Sequence, residues 1–222
     1  MNSFISETID TVLKTTKSFE NVVFILPSQR AGVFVKQTLK DKIRAGFLPE
    51  IQNIGSFIEE VSEISKVDSV ALVFHFYTIY KSVEKNPDSF DKFSSWAFTV
   101  LQDFNEIDQH LVNAKEIFVY LRDIERLKKW SVEGTFKETA MVKDHFSFVE
   151  KLGEFYPKLY AFLKEKNIGY QGLIYREATL KIDAYLQKNQ HKKFFFMGFN
   201  ALNNAEEVLF QKMLAAQKAT IY

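Results

Sequence analysis

Val22-Val23-Phe24-Ile25-Leu26 is an unbroken apolar run, rich in β-branched and aromatic residues and closed by Pro27. Such a run reads as a strand buried on both faces, and such strands belong to parallel sheets covered by helices. Pro27 has no amide to donate and biases the residue before it away from the helical conformation, so the strand stops there. Ser28 then caps a helix in which Ala31, Val33 (or Phe34), Val35 and Leu39 carry the buried face. The unit is strand, tight turn, helix, with Ser28, Gln29 and Arg30 at the helix N-terminus. In an open α/β sheet this turn lies at the carboxyl ends of the strands, where ligands bind. Free N–H groups and the positive end of the helix dipole favour a phosphate there. A structural corner with solvated polar residues is the other reading, and both stand at this point.

The same idiom surrounds that stretch and returns at the end of the chain. Ile5 to Phe19 reads as a helix with Ile5, Ile9, Val12 and Leu13 on one side. Gly46 ends the helix that follows the first strand, and Pro49 to Ile54 is a short second strand. Ser56 and Glu59 have capping-box spacing ahead of Val61 and Ile64. Further on, Leu173, Ile174, Ala178, Ile182, Tyr185 and Leu186 line a helix, and Phe194 to Met197 forms another buried strand closed by Gly198. Asn204 and Glu207 repeat the cap spacing, and Ala219 to Tyr222 begins a strand on which the sequence stops. That ending reads as the N-terminal part of a longer protein.

From Asp68 to Asn167 the strand signal vanishes. Ala71 to Tyr80 is apolar almost all round, as in a helix buried among helices. Phe90, Phe93, Ala97, Val100, Phe104, Ile107 and Leu111 alternate steps of three and four, and Trp96 and Leu101 widen the stripe. Asn113 to Trp130 reads as a charged helix ending in Lys128-Lys129-Trp130. Val149, Leu152, Tyr156, Leu159 and Leu163 mark another, with an expected kink at Pro157. The division is an α/β domain over 1–66 and 168–222, interrupted by a helical subdomain over 67–167. With 23 Phe against four Pro and eight Gly, long helices meeting through bulky rings are expected.

Several chemistries are excluded by what is missing. There is no Cys, hence no disulfide, thiolate metal site or cysteine nucleophile. No Gly precedes a Lys and no G-x-G-x-x-G occurs, which rules out a Walker A loop and the dinucleotide fingerprint. The D/E-x-K half of a metal-dependent nuclease site is absent, and Ser28 lacks a G-x-S-x-G elbow. His75, His110, His145 and His191 are scattered without metal spacing, and the neighbours Asp144 and His145 point apart on a helix. No catalytic residue, metal or cofactor is assigned to this segment. A net charge of +1 gives no global field toward nucleic acid, so any such contact must be a local patch. No signal peptide or membrane span is evident, and the reading is a soluble, cytoplasmic protein without a membrane partner.

Three stretches, in order, resemble a known family. ILPSQRAGVFVKQTL is similar to the "L-V-P-x-Q/R" strand–helix motif of AddB/RexB-type subunits of bacterial helicase–nuclease complexes. LPEIQNIGSFIEEV resembles that family's "S-F" motif, which in related helicases touches single-stranded DNA, and FFFMGFNALNNAEEVLFQKML resembles its descendant of the Walker B strand. The helical stretch falls where UvrD-like helicases carry an insertion. The resemblance implies a P-loop-NTPase-like parallel sheet, incomplete and without Walker A, bearing a large all-helical insertion. Met197 stands where the Walker B carboxylate would be, and a thioether does not hold Mg²⁺. An inactivated helicase domain is therefore implied, with the nuclease domain of the family beyond Tyr222.

The expected function is a non-catalytic, helicase-like scaffold in repair of DNA double-strand breaks, within a parent protein that could be an exodeoxyribonuclease. Its expected partners are single-stranded DNA and an AddA-type subunit. Ser28, Gln29 and Arg30 at one helix N-terminus and Ser56 at another would hold phosphates, which sets register without reading sequence. The alternative is a protein–protein interaction module whose Phe-rich helical subdomain docks a partner and binds no DNA.

Overall fold

The computed structural model describes residues 4–16, 18–43, 48–121 and 140–222. Gly46 and the Lys128–Trp130 end of the expected charged helix lie outside them, as do the side chains of Asp144, His145 and Val149. The fold is mixed α/β, mostly helical, with a small parallel sheet. Two compact units divide the chain: Met1–Glu63 with Tyr175–Tyr222, and Ile64–Ile174.

In the first unit, α1 (Phe4–Thr15), β1 (Val22–Leu26), α2 (Gln29–Lys42), β2 (Glu50–Asn53) and α3 (Ile54–Ser62) follow one another. The chain returns to this unit in α8 (Gln171–Lys188), β5 (Lys193–Phe196), α9 (Asn204–Ala215) and β6 (Ala219–Ile221). The sheet order is β2-β1-β5-β6, parallel throughout, with Phe24 opposite both Ile51 and Phe195. All five residues of β1 are buried, as a central strand with two covered faces requires.

Alternation sends the strand residues to two aromatic layers. Val22, Phe24, Leu26, Phe195 and Met197 pack with Ile9 and Val12 of α1 and Val35 and Leu39 of α2. On the opposite face Phe57 of α3 meets Phe194 and Phe196 at ring separations of 5.7 and 6.2 Å, and Phe210 of α9 meets Phe196 at 3.9 Å. Each such fully buried side chain contributes about 1.5–3 kcal/mol. Gly198 closes β5 with φ +76°, a conformation open to glycine and costly for a Cβ-bearing residue.

Local departures from expectation have local causes. Val33 and Phe34 are 65% and 53% exposed, because Gly32 rather than either of them faces β2. The cap of α3 is Asn53, not a Ser56–Glu59 box, because the helix begins at Ile54, a turn early. The capping box of α9 is Asn203 with Glu206, one residue ahead of the expected pair.

The second unit contains β3 (Ser65–Lys66), α4 (Ser69–Val83), α5 (Phe90–Gln109), a helical stretch over 114–121 (α6), α7 (Ala140–Glu165) and β4 (Ile168–Gly169). Phe76 of α4 is fully buried among Phe93, Trp96, Phe104 and Phe155, at ring separations of 5.1 to 5.9 Å. The stripe of α5 is as read from Phe93 to Ile107, but Leu111 falls beyond the helix end with φ +55°. Helix α7 continues through Pro157. The parallel pair of β3 and β4, two residues each, is a strand feature the periodicity does not register.

Candidate functional site

At the carboxyl ends of β1 and β2, helices α2 and α3 begin side by side. Ser28 holds extended backbone ahead of α2, and its Oγ accepts from the Ala31 amide at 3.3 Å. Asn53 does the same for α3: its Oδ1 accepts from the Ser56 amide at 3.0 Å, while its Nδ2 donates to Ser56 Oγ at 2.9 Å. The two helix starts open into one hollow of ≈ 380 Å³. Ser28, Gln29, Gly32, Val33 and Lys36 line it from the α2 side, and Ile51, Gln52, Asn53 and Ser56 from the β2–α3 side.

Three of the expected residues, Ser28, Gln29 and Ser56, thus meet in one place. Arg30 does not line the hollow; it is exposed on the neighbouring flank of α2 and makes no ion pair among the described residues. Lys36 is the cation that does line it, exposed and likewise unpaired among the described residues. Gln29, Gly32, Val33 and Lys36 recur at helical spacing, so one polar edge of α2 carries both Gln29 and Lys36. That spacing was the available signal for Lys36. Gln52 and Asn53 come from pairing of β1 with β2 and carry no sequence signal of their own.

Beneath the hollow, the Gln52 amide is fixed in orientation. Its Nε2 donates to Glu50 Oε1 at 2.5 Å and to Glu60 Oε2 at 2.8 Å. Both carboxylates need a donor, so Oε1 is turned inward, where it is buried without a hydrogen-bond partner. Lys192 balances Glu50 at 3.0 Å, and Tyr185 donates to Glu60 Oε1 at 2.7 Å. Burial, reinforced by that hydrogen bond to Glu60, holds the Tyr185 phenol well above its ordinary value.

The geometry suits an anion better than a cation. The first turns of two helices and the Lys36 ammonium line the same space, a combination that favours a phosphate oxygen. Among the described residues no group of three His, Cys, Asp or Glu side chains is placed to hold a metal. Met197, at the expected Walker B position, is 1% exposed in the apolar layer with Phe24 and Phe195. Its amide donates to the Ile25 carbonyl at 3.1 Å, so it serves sheet and core. No helix among the described residues is long and apolar enough to cross a membrane. No protein-family model and no curated protein matches the chain.

Proposed function

We propose that this chain is a non-hydrolysing, helicase-like scaffold segment of a helicase–nuclease that processes DNA double-strand breaks. In this reading it holds single-stranded DNA at the hollow between α2 and α3, beside a motor subunit of the AddA type. The observation that carries the proposal is the convergence of two helix N-termini and Lys36 on one hollow at the carboxyl ends of adjacent parallel strands. The resemblance of three ordered stretches to the AddB/RexB family supports it. So does the arrangement of a parallel sheet with a helical unit between its second and third strands, as an incomplete P-loop-NTPase-like domain would have. The lack of any Gly-Lys pair and the burial of Met197 argue against hydrolysis in this segment. Cleavage and translocation then fall to other parts of the complex.

Binding of a fluorescent oligothymidylate, followed by anisotropy at several salt concentrations, tests this. Phosphate contacts make the affinity fall steeply with salt, and Lys36→Ala should lower the log–log slope by about one. The loss should be similar for every base composition, because phosphate contacts carry no sequence. No binding by the wild-type chain at low salt overturns the DNA reading.

A second reading, docking of a protein partner without DNA, is favoured by exposed rings in the helical unit. Phe74 and Phe98 are each 53% exposed, and Phe74 lies stacked on Phe90 at 4.8 Å. Apolar docking of this kind changes little with salt, which separates it from phosphate binding.

A further inference from the structure

We infer that the strand held at the hollow runs on along one flank of α2, with Lys36 and then Lys40 each meeting a phosphate; the inference rests on the DNA reading above. Gln29, Val33, Lys36 and Lys40 follow one another at steps of four, three and four, which keeps all of them on one stripe of the helix. The first three line the hollow, and Lys40 continues their line one turn farther on. At about 1.5 Å of rise per residue the two lysines stand about 6 Å apart along the axis, a step that one nucleotide of an extended strand spans.

The surroundings leave this flank open and cationic. β2 is the end strand of the sheet, so no further strand borders it among the described residues. The far flank of α2 is turned to α1, where Lys42 is engaged by Asp10. Lys36 and Lys40 are exposed and form no ion pair among the described residues. Across the hollow, Glu50 of β2 is met by Lys192 and Gln52, and Glu60 of α3 by Tyr185 and Gln52. Asp41, the only acid of α2, lies about 100° round the helix from Lys40, and Arg30 lies about 100° round from Gln29, off the stripe. Two uncompensated cations in line with the hollow fit a polyanion that passes through it. A lone phosphate held at the helix starts would have no use for Lys40.

Anisotropy on a long labelled oligothymidylate at several salt concentrations tests the path. Lys40→Ala should lower the log–log slope by about one, as Lys36→Ala does, and the double variant by about two. Arg30→Ala should leave the slope as it is. Thymidine monophosphate, which reaches no farther than the hollow, should compete with the strand less well after Lys36→Ala and equally well after Lys40→Ala. Melting curves confirm that the variants are folded, as expected for changes at exposed positions. If Lys40→Ala keeps the wild-type slope while Lys36→Ala does not, the path along α2 is overturned and the phosphate site stands. Equal losses for Arg30→Ala and Lys40→Ala also overturn it, because a diffuse positive field would then be at work. If the wild-type chain does not bind the strand at low salt, the DNA reading falls and this inference with it.

Discussion

The amide of Gly172 donates to Asn105 Oδ1 at 2.7 Å, and a Cβ added at Gly172 would lie 2.2 Å from the Asn105 carbonyl oxygen. The first turn of α8 thus rests directly on the backbone of α5, with no room for a methyl group. Gly172→Ala must displace backbone and should cost about 1–3 kcal/mol, the range for overpacking. Gly32 is the contrasting case, since a Cβ there would sit 3.4 Å from Ile51 and 3.8 Å from Leu26, ordinary contact distances. Gly32→Ala should therefore be neutral or stabilise by up to about 1 kcal/mol through helix propensity. Urea denaturation of the two variants reads the difference, and equal effects would contradict the packing.

Asp108 is fully buried, and its two carboxylate oxygens accept from Tyr156 and Tyr170 hydroxyls, each at 2.5 Å. Burial, with Asp108 adding to it, pushes the Tyr170 phenol well above the ordinary tyrosine value. Above pH ~10 the unfolded chain releases this phenolic proton and the folded chain keeps it. Stability should then be fully present below pH ~10 and fall as pH rises beyond it. Tyr185 and Tyr80, whose phenols are also raised, act in the same direction. Tyr170→Phe should lower stability at neutral pH by about 1–3 kcal/mol, the cost of leaving a buried acceptor without its partner. It should also flatten the alkaline decline. Denaturation from pH 7 to about 11 checks both, and an unchanged alkaline slope would show that Tyr170 does not contribute.

Met197 fixes the expectation for nucleotide. Its side chain lies in the layer of Ile9, Val12, Phe24 and Phe195, with no oxygen ligand of its own to offer. ATP with Mg²⁺ should leave the melting temperature unchanged, whereas any ligand that binds the folded state raises it by mass action. Met197→Asp should not create a metal site but should destabilise strongly, by burying a carboxylate among apolar side chains. A reproducible rise in melting temperature with millimolar ATP would contradict this.

Legibility in the sequence followed the range of the interaction that decides each feature. Val22–Leu26 is readable because a strand covered on both faces needs no polar residue along its length. The stripe of α5 is readable because Phe93, Ala97, Val100 and Phe104 face one core at helical spacing. Asp108 sits on that same buried face but looks in sequence like a solvated acid; the phenols that satisfy it come from residues far along the chain. The hollow was half readable. Ser28 and Gln29 follow from strand, proline and cap, but their meeting with Ser56 depends on β1 pairing with β2, and Lys36 enters through helical spacing. Caps are illegible in sequence where two polar residues lie within one turn, since whether Asn53 or Ser56 caps α3 depends on where the strand releases the chain.

Asn53 and Ser56 therefore give the most direct separation of fold from function at the hollow. Asn53 Oδ1 accepts the Ser56 amide and its Nδ2 donates to Ser56 Oγ, so the asparagine both caps α3 and orients the serine. Asn53→Ala removes the cap and should cost about 0.5–2 kcal/mol. Ser56→Ala leaves the capped amide in place and removes only an exposed hydroxyl, so stability should change by no more than about 0.5 kcal/mol. If the hydroxyl contacts a DNA phosphate, Ser56→Ala should weaken oligonucleotide binding while leaving the salt slope alone, because no counterion-releasing charge is lost. Asn53→Asp keeps the cap acceptor but puts a negative charge at the hollow. It should preserve the helix and weaken binding, with the loss growing as salt is lowered. Thermal melts and anisotropy on these three variants are sufficient. Binding unaffected by Asn53→Asp would mean that no phosphate approaches these helix starts.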